Sequence, residues 1–146
     1  MKIIGITGTK GKTTTAKILA ECISSIGIGC VCIGTLGVEY YEGKSRVSLR
    51  GKGDNTTPSA AFLYKALSDA RISGARVGII EVSSQALKNY RVYGIPFTAC
   101  VFTNFSSDHI GDFEHTSLCD YFAAKRSLFT DYGAKICVVR SRKNSA

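Results

Sequence analysis

Several stretches of this chain carry residue types whose spacing suits chemistry, and the first is TGTKGKTTT at residues 7–15. A glycine loop that ends in Gly-Lys-Thr presents backbone N–H groups and a helix amino terminus to phosphate oxygens. Gly11 lets the backbone approach closely, Lys12 supplies a point charge, and the Thr13 hydroxyl is suited to ligate magnesium. The strict form of this pattern places a glycine where the chain has Ile6; Gly8 stands closer to Gly11, so the loop is a shortened variant. A glycine-rich turn with a chance lysine is the alternative, and the strand–loop–helix context disfavours it.

Glu81 closes the apolar run RVGIIEV. Burying a carboxylate unpaired costs several kcal/mol, so a hard cation bound by oxygen ligands is the cheaper arrangement beside a phosphate loop. An exposed Glu at a frayed strand end is the other reading. Ser83 and Ser84 follow, and spacing does not decide between capping the next helix and binding substrate. His109 and His115 are the only histidines; by spacing alone His109 is a surface loop residue as readily as a ligand. In LCDYFAAKRSLF, helical geometry puts Leu118, Tyr121, Phe122, Leu128 and Phe129 on one apolar face with Lys125 near its middle. Either Lys125 snorkels out past Phe122, or burial lowers its pKa and favours the neutral, nucleophilic amine.

These residues need a frame to position them. The 146 residues suffice for one domain with a real core. Apolar residues make up 45% and charged ones 21%, and no apolar run approaches a membrane span. The start MKIIGITGTKGK lacks the features of a signal peptide. The six cysteines lie mostly in apolar runs without CxxC spacing, which predicts reduced core thiols in a cytoplasmic protein. A net charge of +8 calls for anionic partners. The basic residues are scattered and not interleaved with aromatics in one stripe. Nucleic acid is one candidate; a nucleotide or another phosphorylated small molecule accounts for the charge equally well, and composition alone does not choose.

KIIGIT reads as a buried strand, followed by the glycine loop and a helix over residues 12–25. IGCVCIG is a second strand, and VEYYEGKSRVSL a hairpin turning at Glu42, Gly43 and Lys44. Pro58 is expected at a first helical position, opening a helix with the apolar face Phe62, Leu63, Ala66, Leu67 and Ala70. RVGIIEV, FTACVFT and AKICVVR are further buried strands, and the Lys125 helix, with Ser117 and Asp120 as an approximate capping box, lies between the last two. Apolar strands alternating with helices predict an α/β fold, a mostly parallel sheet covered on both faces, with the ligand site beyond the strands' carboxyl ends.

Taken in order, TGTKGKTTT, NTTP, EVSS, TNFSSDHI and YFAAKRSLF resemble the P-loop NTPase-like, ATP-binding central domain of the Mur ligases. The similarity runs from Ile3 to about Val139 and is strongest to the branch that adds the third amino acid to UDP-N-acetylmuramoyl-L-alanyl-D-glutamate. It implies that Gly8, Thr9, Gly11, Lys12, Thr13 and Thr14 hold ATP, that Thr13 and Glu81 ligate Mg2+, and that His109 joins a second metal. Lys125 matches the family's carbamylated lysine, whose carboxylate helps hold magnesium. Lys12, His109 and Lys125 are thereby the catalytic residues, while Thr56, Thr57, Ser83 and Arg91 grip the UDP-muramoyl-dipeptide. An amino acid is the second substrate, and the resemblance implies a monomer with no nucleic-acid or membrane partner.

Gln85 departs from the family, which usually has a histidine after EVSS, so a titrating role there is lost. The chain is expected to be an incomplete central domain spanning residues 1–146. It would lack the amino-terminal domain for the uridine nucleotide and the carboxyl-terminal domain for the amino acid, and would bind ATP without completing ligation. Rival readings are a sister amide ligase, of the folylpolyglutamate or cyanophycin synthetase kind, and a non-catalytic nucleotide-binding module.

Overall fold

The computed structural model describes residues 1–50, 55–106 and 115–140. In chain order the elements are β1 (Lys2–Thr7), α1 (Lys12–Ser25), β2 (Cys30–Gly34), β3 (Gly37–Glu42), β4 (Ser45–Arg50), α2 (Ala60–Ile72), β5 (Val77–Glu81), α3 (Ser84–Lys88), β6 (Phe97–Phe102), α4 (Leu118–Thr130) and β7 (Ile136–Val139). The strands form one sheet in the order β4-β3-β2-β5-β1-β6-β7. β2, β5, β1, β6 and β7 run parallel, and the β3–β4 hairpin adds antiparallel to β2. β1 is central, and the chain leaves it toward β2 on one side and later supplies β6 on the other. That reversal opens a crevice at the carboxyl ends of β5, β1 and β6.

The period-2 alternation of each strand divides the core in two. On one face Ile6, Cys30, Cys32, Val77 and Ile79 pack beneath Ala16 and Ala20 of α1. On the other face Ile3, Val31, Ile33, Ile80 and Val82 meet Leu63 and Leu67 of α2, Leu87 of α3 and Leu128 of α4. Glu81 follows Val77 and Ile79 in this alternation, so its side chain emerges on the α1 face, where α1 begins. The sheet therefore sets the carboxylate against the glycine loop.

Four sequence expectations change. AKICVVR supplies β7, but Ile136–Val139 are all exposed instead of buried, because β7 is the last strand in the sheet order. Pro58 precedes α2 by two residues, because the Ser59 hydroxyl accepts from Phe62 N–H and takes the cap position itself. The stripe of α4 runs through Tyr121, Lys125 and Leu128, all buried, whereas Leu118 and Phe122 are 41% and 45% exposed. Phe122 lies on the flank, edge-on to Phe102 and Phe105. Lys125 is 1% exposed and does not snorkel. Finally, Cys30, Cys32 and Cys100 are core thiols, but Cys22, Cys119 and Cys137 are exposed, and no disulfide joins any of the six.

The cysteines provide a check on the core. Burial pushes the thiol of Cys30 up to about 11 and those of Cys32 and Cys100 up to about 12. At about pH 8 a thiol-disulfide reagent should modify Cys22, Cys119 and Cys137 quickly in the native chain, and the other three only in denaturant, since the thiolate is the reacting form. Six fast thiols under native conditions would contradict this core.

Candidate functional site

The turn from β1 into α1 is built on glycine. Gly8 has φ 143°, and a Cβ there would lie 2.0 Å from Thr103 Oγ1; Gly11 has φ 82°. Residues beyond β6 clamp this turn from the other side. The Asn104 carboxamide accepts from Lys10 N–H at 2.9 Å and donates to the Lys10 carbonyl at 2.8 Å. Thr9 N–H donates to the Asn104 carbonyl, and Thr103 Oγ1 donates to the Lys10 carbonyl. The Thr9 hydroxyl is buried against Ser106 N–H and the Tyr121 hydroxyl. The loop is thus shaped before any ligand arrives.

The head of α1 contrasts with the other helices. Ser59, Ser83 and Ser117 each cap a helix with a side-chain oxygen, but Gly11 at the α1 N-cap offers none. The first N–H groups of any helix lack intrahelical partners and carry the positive end of its dipole. At α1 they remain available to an anion. Lys12 Nζ lies over the same loop, donating to the carbonyls of Gly8 at 2.9 Å and Thr9 at 3.1 Å. Burial lowers the Lys12 pKa, and the charge of Glu81 opposes that fall. Thr14 is exposed in the first turn of α1.

Glu81 is 1% exposed. Its Oε2 accepts from the Thr13 hydroxyl at 2.7 Å and from the Thr35 hydroxyl at 3.2 Å, and its Oε1 accepts from Thr35 N–H at 3.2 Å. Among the described residues no lysine or arginine comes within ion-pair distance of it. A buried carboxylate held only by hydroxyls and one amide retains negative charge that a hard cation neutralises. Gly8, Gly11, Lys12, Thr13 and Glu81 therefore converge as the sequence predicts, and they fit a phosphate with a divalent metal.

The predicted substrate residues form a second cluster on the adjoining side. Thr57 Oγ1 donates to the Glu81 carbonyl at 2.8 Å and accepts from Ser83 N–H at 2.9 Å. Ser83 Oγ caps α3 by accepting from Ala86 N–H, so the capping role is real and places the residue beside Thr57. Arg91 Nη1 donates to the Thr57 carbonyl at 3.0 Å. Tyr90, just before it, has φ 52°, the left-handed value a tyrosine rarely adopts. Thr56 reaches the Glu81 carboxylate through Thr35, with hydroxyl oxygens 3.3 Å apart. Gln85 lies in the first turn of α3.

Lys125 enters from the opposite face of the sheet. Its Nζ donates to the Gly8 carbonyl at 3.0 Å, the oxygen that Lys12 also contacts, and stands 4.3 Å from the Tyr121 ring centroid. Behind Tyr121 lies the buried His115 ring, whose Nε2 is 2.8 Å from Ser84 Oγ and whose Nδ1 is 3.2 Å from Asp120 Oδ2. Lys88 and His115 hold the Asp120 carboxyl below the usual carboxylate range. His109 lies outside the described residues. Sequence reasoning missed Gly34, Thr35 and Asn104. A Gly-Thr pair ending an apolar strand, as at 34–35, was the available signal, and Asn104 stood unread within TNFSSDHI.

Comparison with known proteins bears on this geometry. The family model described as the Mur ligase middle domain matches residues 6–146. A curated relative from Aquifex aeolicus (strain VF5), a UDP-N-acetylmuramoyl-L-alanyl-D-glutamate–2,6-diaminopimelate ligase, is 38% identical over 141 residues, covering 97% of this chain and 28% of its own length. A ligase of the same name from Chlorobium phaeobacteroides is 43% identical over 129 residues, 88% of this chain and 24% of that protein. A solved structure of a ligase so named superposes with a TM-score of 0.80 at 34% identity, over 95% of this chain and 26% of the other. The chain thus spans about a quarter of the length of these relatives.

Gly8→Ala tests the shaped loop, with Gly27→Ala as its control. Both glycines have positive φ, but a Cβ at Gly27 meets nothing within 4 Å. Gly27→Ala should carry only the backbone penalty of about 1–2 kcal/mol, and Gly8→Ala about 1–3 kcal/mol more for overpacking. Urea denaturation measures both, and equal losses would show that the loop has room the geometry denies.

Proposed function

The chain belongs to the Mur ligase family through its middle domain, and from that premise we propose that it is the central nucleotide-binding part of an ATP-dependent ligase. The substrate is read as UDP-N-acetylmuramoyl-L-alanyl-D-glutamate and the added amine as 2,6-diaminopimelate, the pair named for the relatives. The observation that carries this reading is the Thr13 hydroxyl on the buried Glu81 carboxylate, at the head of an uncapped helix with Lys12 beside it. We read the protein as a cytoplasmic monomer; among the described residues no helix is long and apolar enough to cross a membrane.

In the proposed reaction an oxygen of the dipeptide's free carboxylate attacks the γ-phosphorus of ATP, and the bond to ADP breaks. The amine then attacks the acyl carbon, gives up a proton, and phosphate leaves with the electron pair of the C–O bond. Lys12 and the α1 N–H groups would hold the phosphates in line, the kind of fixed electrostatic positioning on which phosphoryl transfer depends. Thr13 and Glu81 would hold magnesium, which when bound supplies positive charge against the transferring group. Thr57, Ser83 and Arg91 would fix the dipeptide end, a guanidinium being suited to a carboxylate or phosphate.

Lys125 fits carbamylation on two counts. It is buried, and its Nζ donates to the Gly8 carbonyl that Lys12 Nζ also contacts, so it stands at the phosphate-facing loop. A carbamate would remove its positive charge and keep an N–H for the carbonyl. It would also supply a carboxylate at the loop. The His109 role at a second metal is carried by the family resemblance alone.

Calorimetry with Mg-ATP tests the nucleotide reading. Lys12→Ala should weaken binding roughly ten- to hundred-fold, the loss of a hydrogen bond to a charged group; unchanged affinity would remove the loop from the site. Carbon-13 bicarbonate should give a carbamate NMR signal in the magnesium-loaded chain that is absent from Lys125→Ala. Persistence of the signal in that variant would assign it elsewhere.

A further inference from the structure

Glu81 works as a ligand only if its carboxylate faces the head of α1, and nothing in the carboxylate itself fixes that rotamer. The β2–β3 turn does. Gly34 neighbours Glu81 across the sheet, one step beyond the pair Ile33 and Ile80. A Cβ on Gly34 would stand 2.0 Å from Glu81 Oε1 and 2.4 Å from its carboxyl carbon. The missing side chain is the space the carboxylate occupies. The next residue, Thr35, donates its N–H to Oε1 and its hydroxyl to Oε2, both at 3.2 Å.

Proton accounting makes Thr35 a link as well as a clamp. Its hydroxyl has one proton and two neighbours, Glu81 Oε2 and Thr56 Oγ1. The carboxylate is the stronger acceptor, so Thr35 donates to it and accepts from Thr56. A carboxylate offers about four lone-pair directions. Thr13 and Thr35 use three, two on Oε2 and one on Oε1, which leaves one direction of Oε1 for a cation.

We infer that Gly34 and Thr35 are positioning residues: a carboxylate cradle that aims Glu81 at a magnesium ion on α1 and connects it to the substrate threonine Thr56. This rests on the reading of Glu81 as a metal ligand, and the two separate in one experiment. ATP affinity is measured by calorimetry with magnesium and with a chelator, alongside the melting temperature, for the wild-type chain and for Thr35→Val, Thr35→Ser and Gly34→Ala. Thr35→Val keeps the amide and the shape but loses the hydroxyl. The ratio of magnesium-bound to metal-free affinity should fall about ten-fold in it, the value of one hydrogen bond to a charged group, with metal-free affinity unchanged. Thr35→Ser should restore the ratio. Gly34→Ala, which displaces the carboxylate, should lower it at least as far.

A merely structural threonine would lower the melting temperature and both affinities together, and that result would overturn the cradle. So would a wild-type ratio in Thr35→Val, which would leave the metal reading of Glu81 intact. A wild-type chain whose ATP affinity ignores magnesium would defeat the ligand reading, and the positioning role with it.

Discussion

A charged carboxylate closed off from water at the end of β5 is the constraint around which this structure is arranged. Isolated in a low dielectric, the Glu81 anion would be too costly to keep. Each neighbouring feature lowers that cost. The sheet register delivers the side chain to the α1 face, and Gly34 leaves the space for it. Thr13 and Thr35 donate to it, and the positive end of the α1 dipole stands over it. Lys12 lies close enough for the two charges to influence each other without forming an ion pair. The compensation is partial, since among the described residues no arginine or lysine pairs with the carboxylate.

Two buried or half-buried lysines, one from each face of the sheet, converge on the carbonyl of Gly8. That carbonyl is neutral and accepts from both. The loop between them does not adapt freely, because Asn104 takes both polar groups of Lys10 and Thr103 holds its carbonyl. Preorganisation comes from the β6 end of the crevice, and the charges from β1, α1, β5 and α4.

Much of this was legible in the residues. Apolar runs such as VGIIE gave the strands, and the Gly43-Lys44 turn appears where the hairpin pattern placed it. The phosphate loop and Glu81 could be read because each breaks a local rule, glycine where a helix begins and a carboxylate where a core strand ends. Residues that obey local rules stayed hidden. Thr35 is an unremarked turn threonine until the sheet pairs β2 with β5 and sets it against Glu81, a contact 46 residues apart in sequence. Phe122 was misplaced because helical spacing defines a broad face, while the width actually buried depends on what packs against it. Pro58 lost its place to Ser59 for a local reason, since a hydroxyl satisfies a helix N–H and a proline cannot.

His115 shows how the two halves of the site are kept in relation. It is 2% exposed, and its ring nitrogens join Ser84 on α3 to Asp120 on α4, while Lys88 adds a second tie between those helices. Ser84 adjoins Ser83, which contacts Thr57. Tyr121 packs against His115 on one side, meets Lys125 at its ring, and reaches Thr9 with its hydroxyl. A displacement of α4 would therefore disturb the Lys125 contact, the loop and the Ser83 side together. Hydrogen bonds in such a network constrain geometry more than they add net stability, since each replaces one made to water. The network holds the Thr57–Ser83 cluster at a fixed distance from the glycine loop.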